Sequence, residues 1–344
     1  VQGTAANLSV DYLFPKLHGV WSRSVVGATL ERLVSAGSAE AVVRLLAPLG
    51  VDVHQRGGVQ RQLLRRHLAE LGAARRMMEG SVARFYTAFM ERHLFEDLKT
   101  ILHARLLPGL DTDLRDLVIA APELPSLEVE ALCQARDAKA LVDRLPPHPS
   151  RPELLLLLAD LETTRDILTA ECRLDQVFFG ALTAAAEGLP PSGRAIGTGL
   201  VGGEVDVVNL VMLLRNCQTY RLPAEAMEAL CLRGGLRLSG PLCARLCRCR
   251  EAEALLDALP GPLRQVVVPL REAPLAVSEN ALWNALWRQA HEHFANFDQP
   301  IGSLIAFPYL KRFEALNLGR VFEAARLGLG AGDIREMMIG PGDV

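Results

Sequence analysis

The stretch Ser38-Ala39-Glu40-Ala41-Val42-Val43-Arg44-Leu45-Leu46-Ala47 returns as Asp137-Ala138-Lys139-Ala140-Leu141-Val142-Asp143-Arg144-Leu145-Pro146, and again as Glu251-Ala252-Glu253-Ala254-Leu255-Leu256-Asp257-Ala258-Leu259-Pro260. The copies start 99 and 114 residues apart. A second phrase, Asp97-Leu98-Lys99-Thr100-Ile101-Leu102, returns as Asn209-Leu210-Val211-Met212-Leu213-Leu214 and closes with Asn317-Leu318-Gly319-Arg320-Val321-Phe322, at spacings of 112 and 108. Two independent phrases in one order with similar periods point to internal duplication. The period is too long for a solenoid repeat and suits three fused helical modules, cut at 1–110, 111–220 and 221–344.

Bulk composition agrees. Of 344 residues, 50% are apolar, enough to bury a sizeable core. Four lysines accompany thirty-three arginines, and aromatics make up 5%. Ala and Leu dominate, so helix formers outweigh the β-branched and aromatic residues that favour sheets, and the expected class is all-α. A net charge of −3 argues against nucleic-acid binding, which needs a dominant positive field. The basic clusters Arg61, Arg65, Arg66 and Arg75-Arg76 are interleaved with Leu and read as solvated helix faces. The apolar run Leu154–Ala159 is flanked by Glu153 and Asp160, too short to cross a bilayer. Val1–Asn7 lack the charged head and apolar stretch of a secretory signal, and seven cysteines fit a reducing compartment. The expected location is cytoplasmic.

Amphipathic patterns run from Asp11 to Met338, broken at Pro48–Gly58, Pro108–Asp113, Pro122–Pro125, Pro146–Pro152, Gly188–Gly203, Gly234–Pro241, Pro260–Pro274 and Phe297–Pro300. Val266-Val267-Val268, stopped by Pro269, reads as an extended linker. In the second phrase Leu98, Ile101 and Leu102 match Leu210, Leu213 and Leu214, then Leu318, Val321 and Phe322, an i, i+3, i+4 apolar face in every copy. Asp97, Asn209 or Asn317 stands directly before it. Such side chains compete for backbone hydrogen bonds and are mediocre inside helices. Their return at one position is read either as a specific bond to a neighbouring element or as a polar edge of the apolar stripe.

Candidate chemistry is sparse. Cys243-x3-Cys247-x-Cys249, with Cys231 upstream, lacks the second knuckle of structural zinc sites and reads as buried thiols. His291 and His293 point to opposing faces of a helix. The Gly193–Gly203 stretch lacks the Lys-Ser/Thr ending of a P-loop and a preceding strand, and reads as a flexible loop. No Gly-x-Ser-x-Gly elbow or His-Glu-x-x-His pair is present. No catalytic residue, cofactor or metal ligand is therefore expected.

The closing stretch Phe307-Pro-Tyr309-Leu310-Lys-Arg-Phe-Glu314-Ala-Leu-Asn317-Leu318-Gly-Arg320, followed by Gly328-Leu329 and Ile334-Arg335, resembles the C-terminal signature of the V-/A-type ATPase central-stalk family, the C subunit of archaeal and bacterial complexes and the d subunit of eukaryotic ones. Asp206-Val-Val-Asn209-Leu-Val-Met-Leu-Leu-Arg215 resembles the family's second such helix, and Leu174-Asp175-x-x-Phe178-Phe179 the acidic-aromatic phrase before it. Asp97 and His103 replace the Asn and Arg of the later copies, and Gly319 interrupts the Asn-Leu-Arg phrase. The resemblance implies three related helical modules in a funnel about a pseudo-threefold axis, with Asp97, Asp206, Asn209, Arg215, Glu314, Asn317 and Arg320 as structural motif residues. It further implies a non-catalytic rotor part seated on the cytoplasmic mouth of the membrane proteolipid ring and gripping the foot of the central-stalk shaft. The rival reading is a cytosolic helical scaffold for protein partners, which would carry 30-to-45-residue repeats that the sequence lacks.

Overall fold

The structure is a computed structural model; it describes residues 2–52, 58–106, 113–125 and 127–340, with the side chains of 2–9 and 270 outside the description. Among the described residues it is all-α, without a strand. One grammar recurs three times: a run of helices that are short apart from α1 and α8, then a pair of long ones. Helices α1 (Gln2–Trp21), α2 (Ala28–Val34) and α3 (Ala39–Leu46) precede the long α4 (Gly58–Arg75) and α5 (Gly80–Leu106). Next, α6 (Val129–Cys133), α7 (Ala138–Arg144) and α8 (Arg151–Thr164) precede α9 (Ile167–Glu187) and α10 (Pro191–Arg215). Finally, α11 (Ala224–Leu230), α12 (Gly240–Leu246), α13 (Ala252–Asp257) and α14 (Gly261–Val267) precede α15 (Leu275–Ala295) and α16 (Pro300–Arg326), and α17 (Ala331–Glu336) follows.

Each copy of the first phrase opens on a helix N-cap in extended backbone. Ser38 Oγ accepts from the Ala41 N–H at 3.2 Å and Asp137 Oδ1 from the Ala140 N–H at 2.7 Å, satisfying a donor that the first turn leaves unpaired; Glu251 holds the same place without a side-chain bond. One turn on, Val42, Leu141 and Leu255 are all buried at 1% exposure or less, as this register demands. In the second phrase Leu98, Ile101, Leu102, Leu210, Leu213, Leu214, Leu318 and Val321 are buried and Phe322 partly so. Burying each such side chain stabilises the fold by about 1.5–3 kcal/mol.

Three apolar clusters result. The largest runs from Leu13 to Ile339 and unites the long helices. A second packs Val207–Cys217, at the end of α10, against α11–α14. The third joins the end of α16 and α17, through Leu318, Val321, Ile334 and Met338, to Leu30, Leu33, Val34, Val42 and Leu46 of α2 and α3. Short helices from the start of the chain thus cover the last long helix. The cut at 110, and most of the Pro108–Asp113 break, lie outside the described residues, as do 53–57 within the Pro48–Gly58 break.

Two expectations are corrected. The Gly193–Gly203 stretch is not a loop; it lies within α10. Glycine disfavours a helix by about 1 kcal/mol per residue, yet here it permits close approach: a Cβ at Gly193 would sit 2.6 Å from Ile305 Cδ1 of α16, and one at Gly202 3.0 Å from the Leu236 nitrogen. Val266–Val268 is likewise helical, ending α14 and opening a 3-10 turn, because Leu263 and Val267 reach the second cluster. With its glycines helical, the segment Pro191–Tyr220 is long and apolar enough to cross a membrane, but 78% of its apolar window is buried among the other helices.

Candidate functional site

The three polar residues that open the second phrase each bond the backbone of a segment 22 or 23 residues further on. Asn209 takes both groups of one peptide residue: its Oδ1 accepts from the Leu232 N–H at 2.8 Å and its Nδ2 donates to the Leu232 carbonyl at 2.9 Å. Asn317 does the same to Ile339, at 2.9 and 2.6 Å. Asp97 instead accepts from two successive N–H groups, Ile119 at 2.6 Å and Ala120 at 3.1 Å. The Ile119 carbonyl is filled by Arg65 Nε at 2.6 Å, and Arg61 reaches the carbonyls of Arg115 and Val118. Arg61 and Arg65 therefore secure a loop of the fold, where their spacing in the sequence suggests a solvated face. A buried peptide group without a partner costs about 1–3 kcal/mol, so each clamp fixes its loop firmly.

Three residues before Asn209 and Asn317 stand two further carboxylates. Asp206 accepts from the Arg237 N–H at 2.7 Å and the Leu238 N–H at 2.9 Å, just ahead of α12; burial, outweighing those bonds, pushes its carboxyl up to about 6. Glu314 accepts from the Val25 N–H at 2.7 Å, just ahead of α2, and pairs with the buried Lys311, which also meets Glu70 and the Ser24 hydroxyl. The last long helix thus holds a segment from the start of the chain as α10 holds the loop that follows it. Leu94 occupies the matching place on α5. Nearer the surface, Arg215 pairs with Glu279 at 2.7 Å and Arg320 donates to Asn280 Oδ1 at 3.1 Å and to the Met337 carbonyl.

Five residues before each clamp lie Arg92, Glu204 and Arg312, one from each of α5, α10 and α16. These equivalent positions meet. Glu204, fully buried, receives Arg92 at 2.8 Å and Arg312 at 2.7 Å on one carboxylate oxygen. Two cations on one anion leave a positive excess, which aromatic faces absorb: the Arg92 guanidinium lies 4.6 Å from the Phe178 ring centroid and Arg312 5.2 Å from Trp283. Burial, then the charge of Arg92, draws Arg312 down to about 10. Burial, then the Glu204 charge, raises the Tyr309 hydroxyl well above its ordinary range. None of the three was among the residues expected from the sequence, although their common offset of five is visible once the second phrase is aligned.

Among the described residues the triad lines neither of two cavities of about 200 and 500 Å³. Its chemistry is that of a pin: removing one partner from a buried ion pair costs about 3–5 kcal/mol, so the three long helices are fixed in mutual register. Elsewhere the fold gathers Cys231, Cys243 and Cys247, with all three sulfurs within 4.8 Å of one another.

Comparison with known proteins matches residues 13–337 to the family model described as ATP synthase (C/AC39) subunit. The C subunit of the A-type ATP synthase of Methanosphaera stadtmanae is 20% identical over 271 residues, covering 77% of this chain and 70% of that protein. The family match takes in the three helix pairs α4–α5, α9–α10 and α15–α16, the three clamping residues and the ionic pin. With its triplicated helical grammar and that coverage, the chain belongs to the ATP synthase (C/AC39) subunit family.

Proposed function

We propose that this chain is a non-catalytic rotor subunit of a V-/A-type proton- or sodium-translocating ATPase or ATP synthase, coupling the central-stalk shaft subunits to the membrane proteolipid ring. On this reading the modules 1–110, 111–220 and 221–344 form a funnel about a pseudo-threefold axis, with the third module completed by α2 and α3. The chain sits at the cytoplasmic face, peripheral to the membrane. The observation that carries the reading is the Arg92–Glu204–Arg312 pin in a chain of this family: one equivalent residue from each of α5, α10 and α16 ties the repeats into a single body. A part that transmits torque must deform little, and densely packed helices cross-linked by a desolvated ionic cluster meet that need. A net charge of −3 suits docking on protein loops better than on anionic lipid.

The test is recovery from solubilised membranes of cells carrying a tagged copy of this chain. The expected result is co-elution with the proteolipid ring and a shaft subunit in one complex. Recovery solely as a free monomer, with neither partner, overturns the proposal.

A further inference from the structure

The end of α10 and the segment α11–α14 that follows it differ from their counterparts in sulfur. Of the seven free cysteines, Cys172, Cys217, Cys231, Cys243, Cys247 and Cys249 all lie in or against the cluster built on α10–α14. Three of them converge. Cys243 on α12 and Cys247, the residue that caps it, lie four residues apart on one side of that helical turn, and Cys231 reaches them from the end of α11. The Sγ atoms of Cys231 and Cys247 are 3.8 Å apart, and all three sulfurs lie within 4.8 Å. Zinc–thiolate bonds of about 2.3 Å in a tetrahedral site put sulfurs about 3.8 Å apart. A closing movement of less than about 1 Å would therefore bring this trio onto one ion.

The other repeats supply an internal control. Cys243 and Cys247 lie 114 residues after Val129 and Cys133, and 213 after Leu30 and Val34. Cys231 precedes the clamped Leu232 as Val118 precedes Ile119 and Met338 precedes Ile339. The counterparts are mostly apolar, Leu30, Val34, Val118, Val129 and Met338 with one thiol, Cys133, and thiols occupy all three places only in the segment that follows α10. From this convergence we propose that Cys231, Cys243 and Cys247 form a binding site for a thiophilic d10 metal ion, with Zn2+ the divalent case. The inference does not depend on the rotor reading.

The site is preorganised. Asn209 holds Leu232, Asp206 holds the Arg237 and Leu238 N–H groups, and Gln176 donates to the Cys231 carbonyl at 3.1 Å. These bonds fix the segment between Cys231 and α12, so the chain loses little further freedom when an ion binds. Cys231 is also among the residues lining the cavity of about 500 Å³ between α8, α9 and α11, which places the trio beside that cavity. Binding Zn2+ as a tris-thiolate releases the three thiol protons to solvent.

The experiment titrates the full-length, reduced, metal-free chain with Cd2+ and with Zn2+. The expected result is one equivalent bound per chain, an ultraviolet thiolate-to-cadmium charge-transfer band, and protection of Cys231, Cys243 and Cys247 from alkylation. Cys243→Ser should abolish the band while Cys133→Ser leaves it intact. Should Cys243→Ser fail to fold, the alkylation map of the unaltered chain decides alone. No uptake, uptake without protection of those three thiols, or equal loss in both variants overturns the proposal. So does a Cys231–Cys247 disulfide on air exposure in a protein that takes no metal when reduced.

Discussion

The first clamp and the other two hold equivalent loops by different chemistry. At Leu232 and Ile339 one Asn amide satisfies an N–H and a C=O together. At Ile119 the carbonyl already belongs to Arg65, so a donor in the clamp would have nothing to meet, and two N–H groups converge on Asp97 instead. They converge because Ala120 sits at φ 44°, a left-handed conformation that costs a residue with a Cβ about 1–3 kcal/mol. Burial raises the Asp97 carboxyl above its ordinary range, while the bonds from Ile119 and Ala120, and then Arg61 and Arg65, pull it back. The residue at the repeat position thus follows the count of donors and acceptors its loop leaves open. Asp97 is the departure from the repeat that such a count requires.

Forcing the first solution on the second loop should have the largest effect. Asn209→Asp places a fully buried carboxylate against the Leu232 carbonyl, with no cation comparable to Arg65 bonded there. The expected loss is about 3–5 kcal/mol at pH 7. The new carboxyl would have a folded pKa raised above its unfolded value of about 3.9. Its protonated form can donate to Leu232, so the deficit relative to the unaltered chain is smallest below pH 4 and grows as pH rises through the folded pKa. Melting temperatures of both proteins from pH 4 to 8 check this. A difference independent of pH would break the contrast between the two kinds of clamp.

Removing the clamp altogether should cost somewhat less. Asn209→Leu and Asn317→Leu each strand one N–H and one C=O, and at about 1–3 kcal/mol per group, partly relieved by relaxation, the expected loss is about 2–4 kcal/mol in chemical denaturation. Similar values for the two variants would mark the clamps as equivalent. An unchanged midpoint in either would refute its hydrogen-bonding role.

Much of this was legible in the sequence because it is local. The first phrase announces an N-cap and a buried stripe, and Asp97, Asn209 and Asn317 advertise themselves as polar residues beside an apolar face. What stayed hidden depends on partners distant in the chain. The α10 glycines resemble a loop until Ile305, Leu236 and Leu286 press against them. Arg61 and Arg65 resemble a wet face until the 115–119 carbonyls, about fifty positions on, arrive above them. The gathering of Cys231 with Cys243 and Cys247 requires the turn between α11 and α12, which spacing does not disclose. The Arg92–Glu204–Arg312 pin was within reach, since aligned copies reveal a charge in each at one offset, but opposite signs at equivalent positions do not resemble a repeat.

The smallest effect is also the sharpest test of the comparison. Asp97→Asn retains one acceptor, for Ile119 or for Ala120, and turns an amide donor toward the other N–H while the Ile119 carbonyl stays occupied by Arg65. The expected cost is about 1–3 kcal/mol, because one buried N–H loses its partner. Arg65→Leu alone should also destabilise, by freeing that carbonyl and leaving Asp97 with one cation fewer. In the double variant the freed carbonyl can accept from the new amide, which recreates the arrangement at Leu232 and Ile339. The two changes should therefore cost less together than the sum of each alone, by about 1 kcal/mol or more in a double-mutant cycle read from urea denaturation. Strict additivity would mean that Arg65 does not set the choice of Asp at position 97, and that the first clamp departs from the others for reasons unrelated to its donor count.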